Sequence, residues 1–289
     1  METANKATAA GVLAILLWSS LALLTLGTGA LPPFQVLAIA FAVAGATGLL
    51  RAALRGPAGW AELRQPPAAF VLSTVALFGY HALYFIALKR APAVEANLLN
   101  YLWPLLIVVL AGFLPGVRIG PLQWIGTAMG LAAAVLLVTG GRRLQLDGAH
   151  LPGYLAAMSA AVVWAAYSVL NRRHAQVPSA AITVACLAVA LLGGLVHLLF
   201  EPSVAPTPAQ WWILLAMGLG PVGAAFWLWD TGTKRGDIAL LGSLSYLAPL
   251  LSTLLLVLSG RAQPHPVQAV ALALLLVGAW LSTRRHRQG

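Results

Sequence analysis

Asn97, Asn100, Tyr101 and Pro104 stand at i, i+3, i+4 and i+7 of one apolar run, so a helix would place all four on one face. Two amides and a phenol on one face can hydrogen-bond the amino and carboxyl groups of a small solute. A proline on the same face frees a carbonyl and kinks the chain. Tyr80 and Tyr84 pair at i, i+4, with His81 between them. Trp18, Trp103, Trp164 and Tyr167 fall well inside their own runs, where a buried indole or phenol seeks a partner. Such a lining suits an amphipathic solute with a ring or an apolar tail. Each residue also has a plainer reading, as core packing or a helix–helix hydrogen bond.

Bond-making chemistry finds less support. The acids Glu2, Glu62, Glu95, Asp147, Glu201, Asp230 and Asp237 do not converge. Glu95 follows Pro92 at a predicted helix start, where a carboxylate is favoured. Asp230 and Lys234 read as an i, i+4 pair at the inner interface. His81 reads as a hydrogen-bonded neutral histidine before a proton relay. The Gly218–Gly223 segment matches G-x-G-x-x-G, but no strand precedes it and Pro221 interrupts it. Gly126 and Gly130, four residues apart, read as a close helix contact. Cys186 is the lone cysteine, which excludes a disulfide framework or a Cys-based metal site. No cofactor and no metal are expected, and the chain is not read as an enzyme.

The elements that must position these residues are dictated by composition. Apolar residues make up 60% of the 289 and charged residues 8%, against about 25% charged in a soluble domain. The solvent is lipid, and the net charge of +10 concerns topology rather than nucleic acid. Ten runs are long enough to span a bilayer: about 7–27, 33–51, 67–88, 92–113, 119–139, 151–171, 179–199, 209–230, 238–259 and 266–283. They are continuous and rich in Ala and Leu, which predicts helices rather than an alternating β-barrel. The first run is longer than a signal-peptide core and reads as a retained helix. Trp60, Trp124, Trp211, Trp212 and Trp280 fall near run ends, as interfacial belt residues do.

With the N-terminus inside, cytoplasmic segments hold Lys6, Arg51, Arg55, Arg64, Arg118, Arg172, Arg173, Lys234, Arg235, Arg284, Arg285 and Arg287. The outer loops hold Lys89, Arg90, Arg142, Arg143 and Arg261. The bias places both termini in the cytoplasm, with Lys89-Arg90 and Arg142-Arg143 running against it. An offset of 145 residues carries Lys89-Arg90 onto Lys234-Arg235, Tyr101-Leu102 onto Tyr246-Leu247 and Pro104 onto Pro249. Five runs per copy is odd, so the second copy must enter from the opposite face. This predicts an all-α integral membrane protein of ten helices, two inverted five-helix repeats at 1–143 and 144–289. Inverted repeats with interrupted helices point to a midplane transport site, with Pro104 and Pro249 as helix-kink residues.

Two five-helix halves, Trp18 and Trp164 on the first helix of each, and the run Asn97-Leu98-Leu99-Asn100-Tyr101-Leu102-Trp103-Pro104 carry a resemblance to a known family. The chain resembles the drug/metabolite transporter superfamily, EamA-type branch, and the run is similar to bacterial inner-membrane exporters of aromatic amino acids. The resemblance implies a central cavity lined by helices 1, 3, 4, 6, 8 and 9. Those helices hold Trp18, Tyr80, His81, Tyr84, Asn97, Asn100, Tyr101, Trp164, Tyr167, Trp227 and Tyr246. Gly242 and Ser245 stand where the first half has its asparagines, so polar anchoring should be stronger on the fourth helix. The expected function is export of aromatic and other apolar amino acids across the bacterial inner membrane by alternating access. Export of other small metabolites or drugs is the alternative, with a channel or membrane enzyme behind it. The partners are the amino-acid substrate and the lipid bilayer, not nucleic acid, and an inverted repeat permits function as a monomer.

Overall fold

The computed structural model describes residues 2–143 and 147–283. Arg284, Arg285 and Arg287, and residues 144–146 at the expected boundary between halves, lie outside the described residues. No strand occurs among the described residues. Nine helices there are long and apolar enough to cross a bilayer: Glu2–Thr28, Pro33–Leu54, Pro67–Arg90, Ala93–Ala111, Pro121–Thr139, Gly148–His174, Ser179–Phe200, Pro208–Arg235 and Ile238–Leu258. A shorter apolar helix, Pro266–Thr283, follows. In this order they are called the first to the tenth helix.

Prolines and polar caps fix where several of these helices begin. Pro33, Pro67, Pro121 and Pro208 stand in first turns, where the missing N–H costs nothing. The Glu201 carboxylate accepts from the backbone N–H groups of Phe34, at 3.1 Å, and Gln35, at 3.3 Å. A carboxylate from the end of the seventh helix thus caps the second, matching its positive end. Thr207 and Gln210 form a capping box on the eighth helix.

The packing is that of a protein in lipid. Large side chains face outward, with Phe113, Leu198 and Phe200 all more than 70% exposed. Small residues fill the interior, among them Ala14, Ala111, Ala157, Ala161 and Ala185. Lipid supplies no hydrophobic drive between helices, so close approach through small residues must hold them. Gly126 lies so near the Gly278 carbonyl that a Cβ would overlap it, which joins the fifth helix to the tenth. The main contacts join the first helix to the eighth, the second to the seventh and eighth, the third to the sixth, the fourth to the sixth and ninth, and the fifth to the tenth.

Four helices depart from regular geometry. The first breaks at Ser19–Ser20, where both hydroxyls donate back to carbonyls three residues earlier, Leu16 at 2.6 Å and Leu17 at 2.7 Å. Such back-bonding bends helices. The fourth breaks at Tyr101–Leu102, just before Pro104, and the ninth at Ser245–Tyr246, just before Pro249. A proline ring crowds the carbonyl four residues back and offers no N–H to it. The eighth helix widens into a π segment over Gly218–Ala224 with Pro221 inside it. The apparent G-x-G-x-x-G is therefore an expanded membrane helix.

Candidate functional site

The breaks in the first and fourth helices and the π segment in the eighth meet around one group of aromatic rings. Trp18, at the end of its half-helix, donates its indole N–H to the Pro221 carbonyl at 3.0 Å. Its ring centroid lies 5.0 Å from Trp229, 5.5 Å from Trp164 and 6.4 Å from Trp103. Phe226 stands 5.9 Å from Trp18 and 5.7 Å from Trp164. Tyr80 joins this group through Trp164 at 5.4 Å, and Tyr167 does so at the same distance. Tyr80 and Tyr84, one turn apart on one face, lie nearly parallel, with 8° between their planes. These offset and edge-on contacts are the arrangements that aromatic rings favour.

The polar groups sit on the third and fourth helices. The Tyr84 hydroxyl donates to Asn97 Oδ1, and Asn100 Nδ2 donates to the Tyr80 hydroxyl at 3.1 Å. Asn100 Oδ1 is buried with no hydrogen-bond partner. A buried lone acceptor is costly, so this oxygen marks a place for a donor. The Nδ1 of His81 lies 2.6 Å from the Leu77 carbonyl. That contact places a proton on Nδ1 and leaves Nε2 as the acceptor of the neutral ring. Tyr101 stands at the break of the fourth helix, one turn beyond Asn97.

Nine of the eleven expected lining residues are thus gathered: Trp18, Tyr80, His81, Tyr84, Asn97, Asn100, Tyr101, Trp164 and Tyr167. Two are placed elsewhere. Trp227 is 41% exposed, with the Arg51 guanidinium carbon 5.9 Å from its ring centroid. Tyr246 is fully buried among residues of the fifth and tenth helices, against Gly130. Trp229, two positions from Trp227 and so on the other side of the helix, takes the place in the ring group.

A second polar layer lies beneath the rings. Trp229 donates its indole N–H to Ser168 Oγ at 3.1 Å. Its neighbour Asp230 pairs with Lys234 at 2.8 Å and accepts from Asn171 Nδ2 at 2.8 Å. Lys234 Nζ also donates to the Val177 carbonyl at 3.1 Å. The i, i+4 pair is present, but it is enclosed rather than interfacial, with both side chains less than 5% exposed. A pair this buried must be hydrogen-bonded on both sides to persist. Phe226, Trp229, Asp230 and Thr233 repeat the i, i+3, i+4, i+7 spacing of the fourth helix, a signal that the same pattern search would have found.

Exposure is graded across the site. Tyr80, His81, Tyr84, Asn97 and Tyr101 are half-buried, toward the end of the bundle that carries Arg90 and Pro92. Trp103, Trp164, Tyr167 and Trp229 are buried, toward the end that carries Arg172 and Lys234. No group of three or more His, Cys, Asp or Glu that could hold a metal occurs among the described residues.

The sequence matches the model of the EamA-like transporter family twice, over residues 5–139 and 151–284. The chain belongs to the EamA-like transporter family. It is a multi-pass membrane protein. It is 51% identical over 287 residues to a protein named aromatic amino acid exporter YddG from Ancylobacter novellus, covering 98% of this chain and 99% of that one. It is 28% identical to the protein of the same name from Escherichia coli, again over 98% and 99% of the two chains. A solved crystal structure, 50% identical, superposes with a TM-score of 0.92 over 96% of each chain.

Proposed function

We propose that this transporter exports amino acids, aromatic and other apolar ones, from the cytoplasm across the bacterial inner membrane. The observation that carries the reading is the placement of the Tyr84–Asn97 and Tyr80–Asn100 hydrogen bonds against the ring group of Trp18, Trp164 and Trp229. Asn100 Oδ1 and His81 Nε2 accept from a substrate ammonium, and the Asn97 amide donates to its carboxylate. The rings pack its side chain. Neutral amides suit a zwitterion, because a fixed charge would be left unpaired on one side of the transport cycle. The names of the relatives, both aromatic amino acid exporters, support the same reading.

The mechanism we infer is alternating access between two inverted five-helix halves, residues 1–143 and 144–289, with both termini cytoplasmic. Helix pairing supports it. Exchanging the first with the sixth helix, the second with the seventh, and so on, carries the first–eighth contact onto the third–sixth, the fourth–sixth onto the first–ninth and the second–eighth onto the third–seventh. The near-equivalent breaks of the fourth and ninth helices support it too. In this orientation the buried layer of Trp229 and Asp230 closes the cytoplasmic end, and the half-buried tyrosines face outward. Export of other neutral metabolites is the competing reading.

Uptake of labelled phenylalanine into proteoliposomes, with unlabelled amino acids as competitors, tests the proposal. Saturable uptake blocked by tryptophan and leucine but not by glutamate or lysine is expected. Folded protein without saturable uptake would move the substrate to another metabolite class.

A further inference from the structure

Arg142 and Arg143 run against the charge bias of the chain, and the aromatic site makes no use of them. They line a cleft of about 550 Å³ between the start of the fourth helix, the end of the fifth and the start of the tenth. Glu95 forms another wall. Its Oε2 is buried without a hydrogen-bond partner, and no ion pair reaches it among the described residues. A carboxylate oxygen in that state is costly, so the Glu95 side chain calls for a donor. His265 adds a donor of its own. Its Nδ1 accepts the Val267 N–H at 3.2 Å, which leaves the proton of the neutral ring on Nε2. Neither arginine has an ion-pair partner among the described residues. The hollow therefore offers donors for an anion and an acceptor for a cation. Val94, Leu137 and Val138 extend its wall in apolar form, and Val94 is exposed.

We propose that this cleft binds a lipid headgroup carrying both a phosphate and a primary ammonium, as phosphatidylethanolamine does. The phosphate takes the guanidinium groups of Arg142 and Arg143 and the His265 N–H. The ammonium donates to the Glu95 carboxylate. The acyl chains follow Val94 and Leu137 into the hydrocarbon. Helix ends lie at headgroup level, which puts the charged part of the cleft where such a group sits. A quaternary ammonium has no proton to give Glu95, and an anionic headgroup without an amine leaves its carboxylate unpaired. A free aromatic amino acid carries the same two charges, but its single side chain covers less of the apolar wall than two acyl chains do.

Native mass spectrometry of the full chain, released from nanodiscs of defined composition, tests this. The wild type is expected to retain one phosphatidylethanolamine with about tenfold preference over phosphatidylcholine or phosphatidylglycerol, the scale of one charged hydrogen bond. Glu95→Gln should abolish the preference over phosphatidylglycerol, and the double variant Arg142→Gln/Arg143→Gln should lose retention of both. Equal retention of the three lipids by the wild type overturns the proposal without reference to any variant. Displacement of the lipid by millimolar phenylalanine also overturns it, since the ligand would then be the amino acid.

Discussion

The indole N–H of Trp18 donates to the carbonyl of Pro221 at 3.0 Å, across 203 positions of sequence. The bond joins two irregularities. Trp18 ends the first half-helix before the Ser19–Ser20 break, and Pro221 lies in the π segment of the eighth helix. The Pro221 carbonyl takes this bond from within the π segment, and π bulges recur at functional sites. The contact also ties the first half of the chain to the second at the level of the ring group.

Replacing Trp18 by Phe keeps a ring and removes the donor. One neutral hydrogen bond is worth about 1 kcal/mol, so transport should fall about fivefold with little loss of thermal stability. Pro221→Ala should act in the same direction by letting the π segment wind as an α-helix. Initial uptake rates in proteoliposomes, with melting curves in detergent alongside, check both. An unchanged rate in both variants would remove the bond from the transport cycle.

Asn100→Ala removes both the donor to Tyr80 and the buried lone acceptor. The half-saturation concentration for phenylalanine should rise about tenfold while the protein remains folded. Tyr84→Phe, which removes only the bond to Asn97, should have a smaller effect. A concentration series of uptake rates separates the two.

Asp230 and Lys234 share one enclosed layer, so removing either charge strands the other. Asp230→Asn and Lys234→Met should each destabilise the protein by about 3–5 kcal/mol, and the double variant should recover most of that loss. Denaturation in detergent, read as a double-mutant cycle, gives the coupling. Additive losses would show that the pair is solvated in practice.

Gly126 meets the Gly278 carbonyl without room for a side chain. Gly126→Val should force the fifth and tenth helices apart and cost about 1–3 kcal/mol. These helices lie outside the ring group, so the half-saturation concentration should stay unchanged. Melting temperature and uptake measured on one preparation decide the point.

Much of the fold was legible because lipid imposes a coarse rule: a helix must be long and apolar to cross. The run from Asn97 to Pro104 was legible because four chemically distinct residues share one face. Trp227 and Trp229 show where such reading stops. Both are tryptophans of the same helix, and only rotation about its axis decides which one meets Trp18. The π segment at Gly218–Ala224 shifts that rotation. Tyr246 matches Tyr101 in the repeat, yet it packs against Gly130 because the halves differ in their neighbours. Asp230 shares a local i, i+3, i+4, i+7 face with Phe226, Trp229 and Thr233, but the Asn171 amide that bonds it and the Val177 carbonyl that bonds Lys234 lie on other segments.

The central claim is that neutral amides and rings hold a zwitterion by both of its charged groups. Equilibrium binding of phenylalanine, phenethylamine and N-acetylphenylalanine to the purified protein by calorimetry tests it most directly. The account predicts that each analogue, lacking one charge, binds at least about tenfold more weakly than phenylalanine. It also predicts that Asn100→Ala brings phenylalanine down to their level. Equal binding of all three by the wild type would contradict it.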